Sequence, residues 1–138
     1  MSCLTLDPEA LSSLARGGRH EATVRAALAA ALAEGVDVLV PAAVLAECYR
    51  GSRYDAAIDS CLSRRGGIGV VPTDRPLARR VGHLLASADR GSEHHVDATV
   101  VATCATAGGG VILTADTSDL TALTPAGSAV TVTGLTDR

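Results

Sequence analysis

Short apolar runs alternate along the chain with longer segments in which apolar residues recur at helical spacing. The short runs predict strands at residues 3–6, 36–40, 68–71, 110–113 and 129–133. The longer segments predict helices at residues 8–15, 21–34, 42–50, 54–63, 75–88, 96–107 and 118–123. Strands and helices are therefore expected to alternate through most of the chain.

Glycines mark the ends of several predicted helices. Gly17 and Gly35 follow the first two, at the position where a helix C-terminus favours the left-handed backbone of glycine. The three glycines at 108–110 follow a helix and lack the lysine and hydroxyl residue of a phosphate-binding loop. They predict a turn rather than a phosphate site.

Strands separated by helices predict a parallel sheet, because parallel neighbours need crossover connections. The expected class is α/β: a three-layer α/β/α arrangement around a central, mostly parallel, five-stranded sheet. With 138 residues and no linker or repeat, residues 1–138 are expected to form a single domain.

The charged and aromatic residues exclude several kinds of function. All cationic side chains are arginine, so mechanisms that need a lysine nucleophile, Schiff base or phosphate clamp are excluded. The net charge of -3 argues against a protein that coats nucleic acid through bulk positive charge. Tyr49 and Tyr54 are the only aromatic residues, which leaves few platforms for base stacking.

The cysteines and the N-terminal segment indicate the compartment. The four cysteines form no C-x-x-C pair and show no zinc-ligand spacing, which is typical of reduced thiols. The sequence contains neither a signal-peptide pattern nor a run of 18 apolar residues. We therefore expect a cytoplasmic protein without a membrane partner.

Acidic residues stand where a parallel sheet places its ligand site, beyond the carboxyl ends of the strands. Local roles are available for several of them: an N-cap for Asp7 and Asp116, a favourable charge at a helix start for Asp97, and an ion pair with Arg50 for Glu47. Asp119 can support the Asp116 cap. These local roles do not explain why all of the acids are expected at the same edge of the sheet.

Clustered carboxylates require a cation. Two of them about 4 to 5 Å apart repel by roughly 3 to 4 kcal/mol at an effective dielectric of about 20. Ligand sets made of oxygen suit Mg²⁺ or Mn²⁺. Such an ion retains waters and can activate a nucleophile and neutralise a phosphodiester. The acids therefore predict metal-assisted phosphodiester hydrolysis.

The segments that carry these acids, LTLDPEALSSLARG, VPAAVLAECYRG, HHVDATVVATCA and ILTADTSDL, resemble the PIN-domain family and, within it, the VapC-type toxins of bacterial toxin–antitoxin pairs. The resemblance covers nearly the whole chain and includes the L-A-E and T-x-D neighbours of two acids. It implies an endoribonuclease dependent on Mg²⁺ or Mn²⁺, a homodimer, and a VapB-type antitoxin that covers the active site. The implied catalytic and metal-binding acids are Asp7, Glu47, Asp97 and Asp116, with Asp119 as an additional metal ligand.

One departure from the family keeps an alternative open. Pro8 and Glu9 follow the first acid, where many members carry a small or hydroxyl residue. The alternative is a catalytically weakened PIN domain that binds RNA or protein. Receiver domains and haloacid-dehalogenase-like phosphatases also gather acids around Mg²⁺, but they place an essential lysine at the site, and this chain has none.

Two further sets of residues border the predicted site. His94 and His95 precede Asp97, where contact with a metal ion or a scissile phosphate is one interpretation and a solvated pair at a helix entrance is the favoured one. Contacts to RNA phosphates are expected from arginines, with solvated surface charge as the competing interpretation for each of them: Arg16, Arg19, Arg50, Arg53, Arg75 and Arg79.

Overall fold

A computed structural model describes residues 2–63 and 67–135. Its strands form one five-stranded sheet in the order β3-β2-β1-β4-β5, and every neighbouring pair is parallel. The strands are β1 (Cys3–Leu6), β2 (Asp37–Pro41), β3 (Ile68–Val71), β4 (Gly110–Thr114) and β5 (Val130–Gly134). The predicted α/β class is confirmed, and the sheet is entirely parallel.

The helices follow the predicted order. They are α1 (Pro8–Arg16), α2 (Glu21–Ala33), α3 (Ala42–Cys48), α4 (Ser52–Cys61), α5 (Arg75–Ser87), α6 (His95–Thr106) and α7 (Thr117–Leu123). A short 3-10 helix, Ser92–His94, leads into α6 and was not predicted. Among the described residues, none of these helices has the length and apolar character needed to cross a bilayer.

The sheet is the middle of three layers. Helix α1 lies on β1 and β4 and packs against α2 and α4, whereas α6 lies on the same two strands and packs against α5 and α7. Because α1 and α6 belong to separate groups yet cover the same strands, they lie on opposite faces of the sheet. Residues 98–104 of α6 are all buried, as expected for a helix covered by the sheet and by other helices.

Gly110, the first residue of β4, sets the alignment of β4 with β1. Gly110 has a φ of 144°, and a Cβ at this position would overlap the backbone of Cys3 in β1. Only glycine allows this close approach. Gly110 pairs with Cys3 and Leu113 pairs with Leu6, so β1 and β4 end side by side.

Candidate active site

Asp7 begins the site at the carboxyl end of β1. Its backbone N–H donates to the carbonyl of Leu113 at 3.3 Å, which extends the pairing of β1 with β4 by one residue. One carboxylate oxygen, Oδ1, accepts from the Ala10 N–H at 2.9 Å, so Asp7 is the N-cap of α1, as its sequence context predicts. The residue is only 5% exposed.

Burial raises the pKa of Asp7 to about 6. Hydrogen bonding by Thr114 and by the Ala10 N–H opposes that rise, whereas the charges of Glu9 and Asp97 add to it. Glu9 therefore does bring negative charge to the site. In the metal-free protein the ionised form of Asp7 is held in an unfavourable environment.

Asp97 lies in the first turn of α6 and couples the acids to one another. Burial raises its pKa, and the nearby carboxylates of Asp119 and Asp116 raise it further. His94 acts in the opposite direction and lowers it. Because Asp97 also acts on Asp7, the four aspartates share one electrostatic environment.

The segment after β4 supplies the other two aspartates. Asp116 is the exposed N-cap of α7, where it accepts from the Ser118 N–H at 3.1 Å and from the Ser118 hydroxyl at 2.8 Å. The hydroxyl bond lowers the pKa of Asp116. Asp119 is the third residue of α7 and is partly buried.

Thr114 is a site residue that sequence reasoning missed. It is fully buried at the end of β4, and its hydroxyl oxygen accepts from the Asp116 N–H at 3.0 Å. The same hydroxyl lowers the pKa of Asp7. Thr114 therefore links the acids that follow β1 and β4. The T-x-D pattern marked its position but gave no indication that it would influence Asp7.

His94 joins Asp97 and Asp119 in a close group of potential metal ligands. One ligand atom from each residue lies within 4.8 Å of the other two. The Nδ1 atom of His94 is 3.9 Å from Oδ2 of Asp97, and the His94 side chain is 21% exposed. The interpretation of His94 as simply solvated is therefore incomplete, whereas His95 is exposed.

Glu47 lies on α3, which begins at the carboxyl end of β2, and its side chain is exposed. The next residue, Cys48, packs against α1 with its Sγ 3.5 Å from the Pro8 carbonyl oxygen. Burial raises the pKa of the Cys48 thiol, and the charges of Asp7 and Glu47 raise it further. Glu47 is thus near the edge that carries Asp7.

Glu47 nevertheless stands apart from the close ligand group. Within the described residues that group contains only His94, Asp97 and Asp119. The ion pair proposed between Glu47 and Arg50 is also absent from the described part of the chain. Arg50 instead donates to the backbone carbonyls of Ala46 and Tyr49.

The residues present fit a divalent cation. The carboxylates of Asp97 and Asp119 each have an oxygen within 4.8 Å of the other, and two ionised groups about 4 to 5 Å apart repel by roughly 3 to 4 kcal/mol at an effective dielectric of about 20. Burial is the largest cause of the raised pKa of Asp7 and of Asp97, and the charges of neighbouring carboxylates raise both further. Carboxylate oxygens and one imidazole nitrogen form a donor set suited to small divalent ions.

A polar cleft lies along α1. It has a volume of about 370 Å³ and is lined by Glu9, Ser12, Ser13, Arg16 and Gly17. The guanidinium of Arg16 stacks on the ring of Tyr54, with its central carbon 4.2 Å from the ring centroid. Arg16 is therefore held beside the cleft, unlike an arginine that is free in solvent.

Comparison with known proteins identifies the family. Residues 4–122 match the model of the PIN domain, so the chain belongs to the PIN-domain family, whose members are nucleases. No curated protein sequence matches the chain significantly.

A chain in the crystal structure of VapBC2 from Rickettsia felis, bound to a DNA fragment from their promoter, shares the fold. The TM-score is 0.68 with 11% sequence identity, and the match covers 96% of this chain and 98% of that one. The resemblance to the PIN domain inferred from the four acidic segments is confirmed.

Proposed function

We propose that this PIN domain is an endoribonuclease dependent on Mg²⁺ or Mn²⁺, and that it acts as the toxin of a toxin–antitoxin pair in the cytoplasm. The observation that carries the proposal is the meeting of Asp7, Asp97, Asp116 and Asp119 at the carboxyl ends of β1 and β4. Membership of a nuclease family supports the reaction class. The shared fold with a VapBC2 chain supports the toxin assignment.

The acidic residues would have different roles, because they differ in position and exposure. Asp97 and Asp119 would hold the ion, and the buried Asp7 and the exposed Asp116 would add negative charge to the same site. A bound divalent cation supplies Lewis acidity and neutralises the charge that develops on a phosphodiester. Glu47, exposed at the rim, is available to orient water or to accept a proton.

RNA would be held mainly through its phosphates. The cleft beside Arg16 is also lined by Glu9, whose charge acts on Asp7. Phosphate contacts suit a chain with two aromatic residues, because base stacking has few platforms here. The proposed partners are an RNA substrate, a VapB-type antitoxin and a second copy of the chain.

The decisive experiment is RNA cleavage by the purified protein. We expect cleavage with Mg²⁺ or Mn²⁺, none with a chelator, and a loss of roughly 100-fold or more in Asp97→Asn, the scale on which a single electrostatic group acts in active sites. Asp37→Asn is the matched control, because Asp37 is an exposed acid at the opposite, amino end of β2. Equal cleavage by wild type and Asp97→Asn would overturn the proposal.

Expression in a bacterial host tests the toxin assignment separately. Wild-type protein should arrest growth, Asp97→Asn should not, and co-expression of the cognate VapB-type antitoxin should restore growth. A nuclease that cleaves RNA in vitro but leaves growth unchanged would argue for a solitary enzyme. Sedimentation analysis of the purified chain tests the proposed homodimer.

One alternative has a specific observation in its favour. Glu47 lies outside the close ligand group of the described residues, and Glu9 adds negative charge next to Asp7. Both features suit a PIN domain that has lost catalysis and binds RNA or protein. Binding of RNA without cleavage in saturating Mn²⁺, equally in wild type and Glu47→Gln, would favour this alternative.

A further inference from the structure

His94 occupies the N-cap position of α6 but does not cap the helix. Ser, Thr, Asp and Asn prevail at this position because their side chains accept a backbone N–H. His94 makes no such side-chain bond with the described residues. Its backbone is held by a hydrogen bond from its N–H to the Gly91 carbonyl at 3.1 Å, and its ring faces Asp97.

The spacing between His94 and Asp97 suits two ligands of one ion better than a direct bond. Their Nδ1 and Oδ2 atoms are 3.9 Å apart, which is too long for a hydrogen bond. Ligands bonded at about 2.1 Å to an octahedral ion are about 3.0 Å apart when adjacent and about 4.2 Å when opposite. The observed separation is within about 0.3 Å of that of opposite ligands.

Asp119 completes the group from a different element. His94 ends the 3-10 helix, Asp97 belongs to α6 and Asp119 belongs to α7, so three elements direct a ligand atom into one small space. A protonated His94 could neutralise one of the two carboxylates and would leave the other uncompensated. A divalent ion would compensate both.

We infer that His94 is a ligand of the metal ion and makes the site selective for Mn²⁺ over Mg²⁺. The inference rests on the metal site of the proposed function and adds a nitrogen to the oxygen-only ligand set expected from the sequence. Imidazole suits transition-metal ions, whereas Mg²⁺ is bound mainly by oxygen. His95 is the matched control, since it is adjacent and exposed.

The test begins with chelator-treated protein loaded with Mn²⁺ in the absence of RNA. Pulsed electron paramagnetic resonance should detect the nuclear modulation of an imidazole nitrogen in wild type and in His95→Ala, but not in His94→Ala. Calorimetry should show a loss of at least about tenfold in Mn²⁺ affinity for His94→Ala, because residues that merely orient metal ligands already contribute about 10- to 100-fold. Mg²⁺ affinity should stay close to that of wild type.

Each outcome decides between the two proposals. Absence of nitrogen modulation from Mn²⁺-loaded wild type, or its persistence in His94→Ala, overturns the role of His94. If the wild-type protein still cleaves RNA, the proposed function stands. Nitrogen modulation without any RNA cleavage supports the ligand and overturns the nuclease. Failure to bind either ion overturns both.

Discussion

Replacement of Asp7 by asparagine is expected to stabilise the metal-free protein at neutral and alkaline pH. Folding buries Asp7 to 5% exposure and raises its pKa from 3.8 to about 6. Asparagine is as good an N-cap as aspartate, so the hydrogen bond from the Ala10 N–H can be kept while the charge is removed. The substitution therefore isolates the cost of the buried charge.

The pKa shift gives the size and the sign of the effect. A rise of about 2 units, at about 1.4 kcal/mol each, corresponds to about 3 kcal/mol. Because the folded state holds the proton more tightly, this stabilisation of wild type is complete below pH 3.8 and is lost as the pH rises through about 6. The advantage of Asp7→Asn should therefore be largest near pH 8 and vanish near pH 4.

Urea denaturation in the presence of a chelator, repeated across that pH range, measures the difference in unfolding free energy. Asp37→Asn, an exposed acid at the opposite end of the sheet, is the control and should follow wild type. Addition of Mn²⁺ should stabilise wild type more than Asp7→Asn, since the ion binds the folded state. The assignment of Asp7 as an unfavourable buried charge would be refuted if the difference in unfolding free energy did not depend on pH. It would also be refuted if Asp7→Asn were less stable than wild type at pH 8.

Substitutions at three other positions test the surroundings of the site. Thr114→Val should raise the pKa of Asp7 above about 6, because the hydroxyl that lowers it is removed; carboxyl ¹³C titration by NMR measures this. Gly110→Ala should strongly destabilise the fold, since the new methyl group would overlap the Cys3 backbone. Gly82→Ala, in open space on α5, should stabilise it by roughly 0.5 to 1 kcal/mol. Thermal unfolding distinguishes these opposite effects, and a stable Gly110→Ala protein would contradict the close packing of β1 on β4.

The sequence was most informative where the signal is local. The apolar runs, together with the glycines that follow several helices, predicted each strand to within one residue at either end. Both signals depend only on residues a few positions apart in the sequence. The end of α3 was predicted two residues too late. There the chain leaves the helix at Tyr49, whose backbone is extended, and no glycine or proline marks the change.

The candidate site depended on contacts that local signals do not encode. The rule that parallel strands share a carboxyl edge was enough to group Asp7 with Asp116. The strand order, which makes β1 and β4 neighbours and brings Thr114 beside Asp7, follows from tertiary packing. His94 lies near Asp119 because α6 packs against α7, and the sequence pattern, which only placed His94 before Asp97, does not encode that contact.

Helix capping and metal binding are compatible roles for the same carboxylate. The Oδ1 atom of Asp7 accepts from Ala10 and that of Asp116 accepts from Ser118, while an ionised carboxylate has a second oxygen and about four acceptor sites in all. The cap fixes the side chain at the end of its strand and so reduces the entropy lost when an ion binds. Asparagine keeps the cap and removes the charge. If Asp7→Asn loses metal affinity but keeps the stability of the helix, metal binding is therefore distinguished from helix capping.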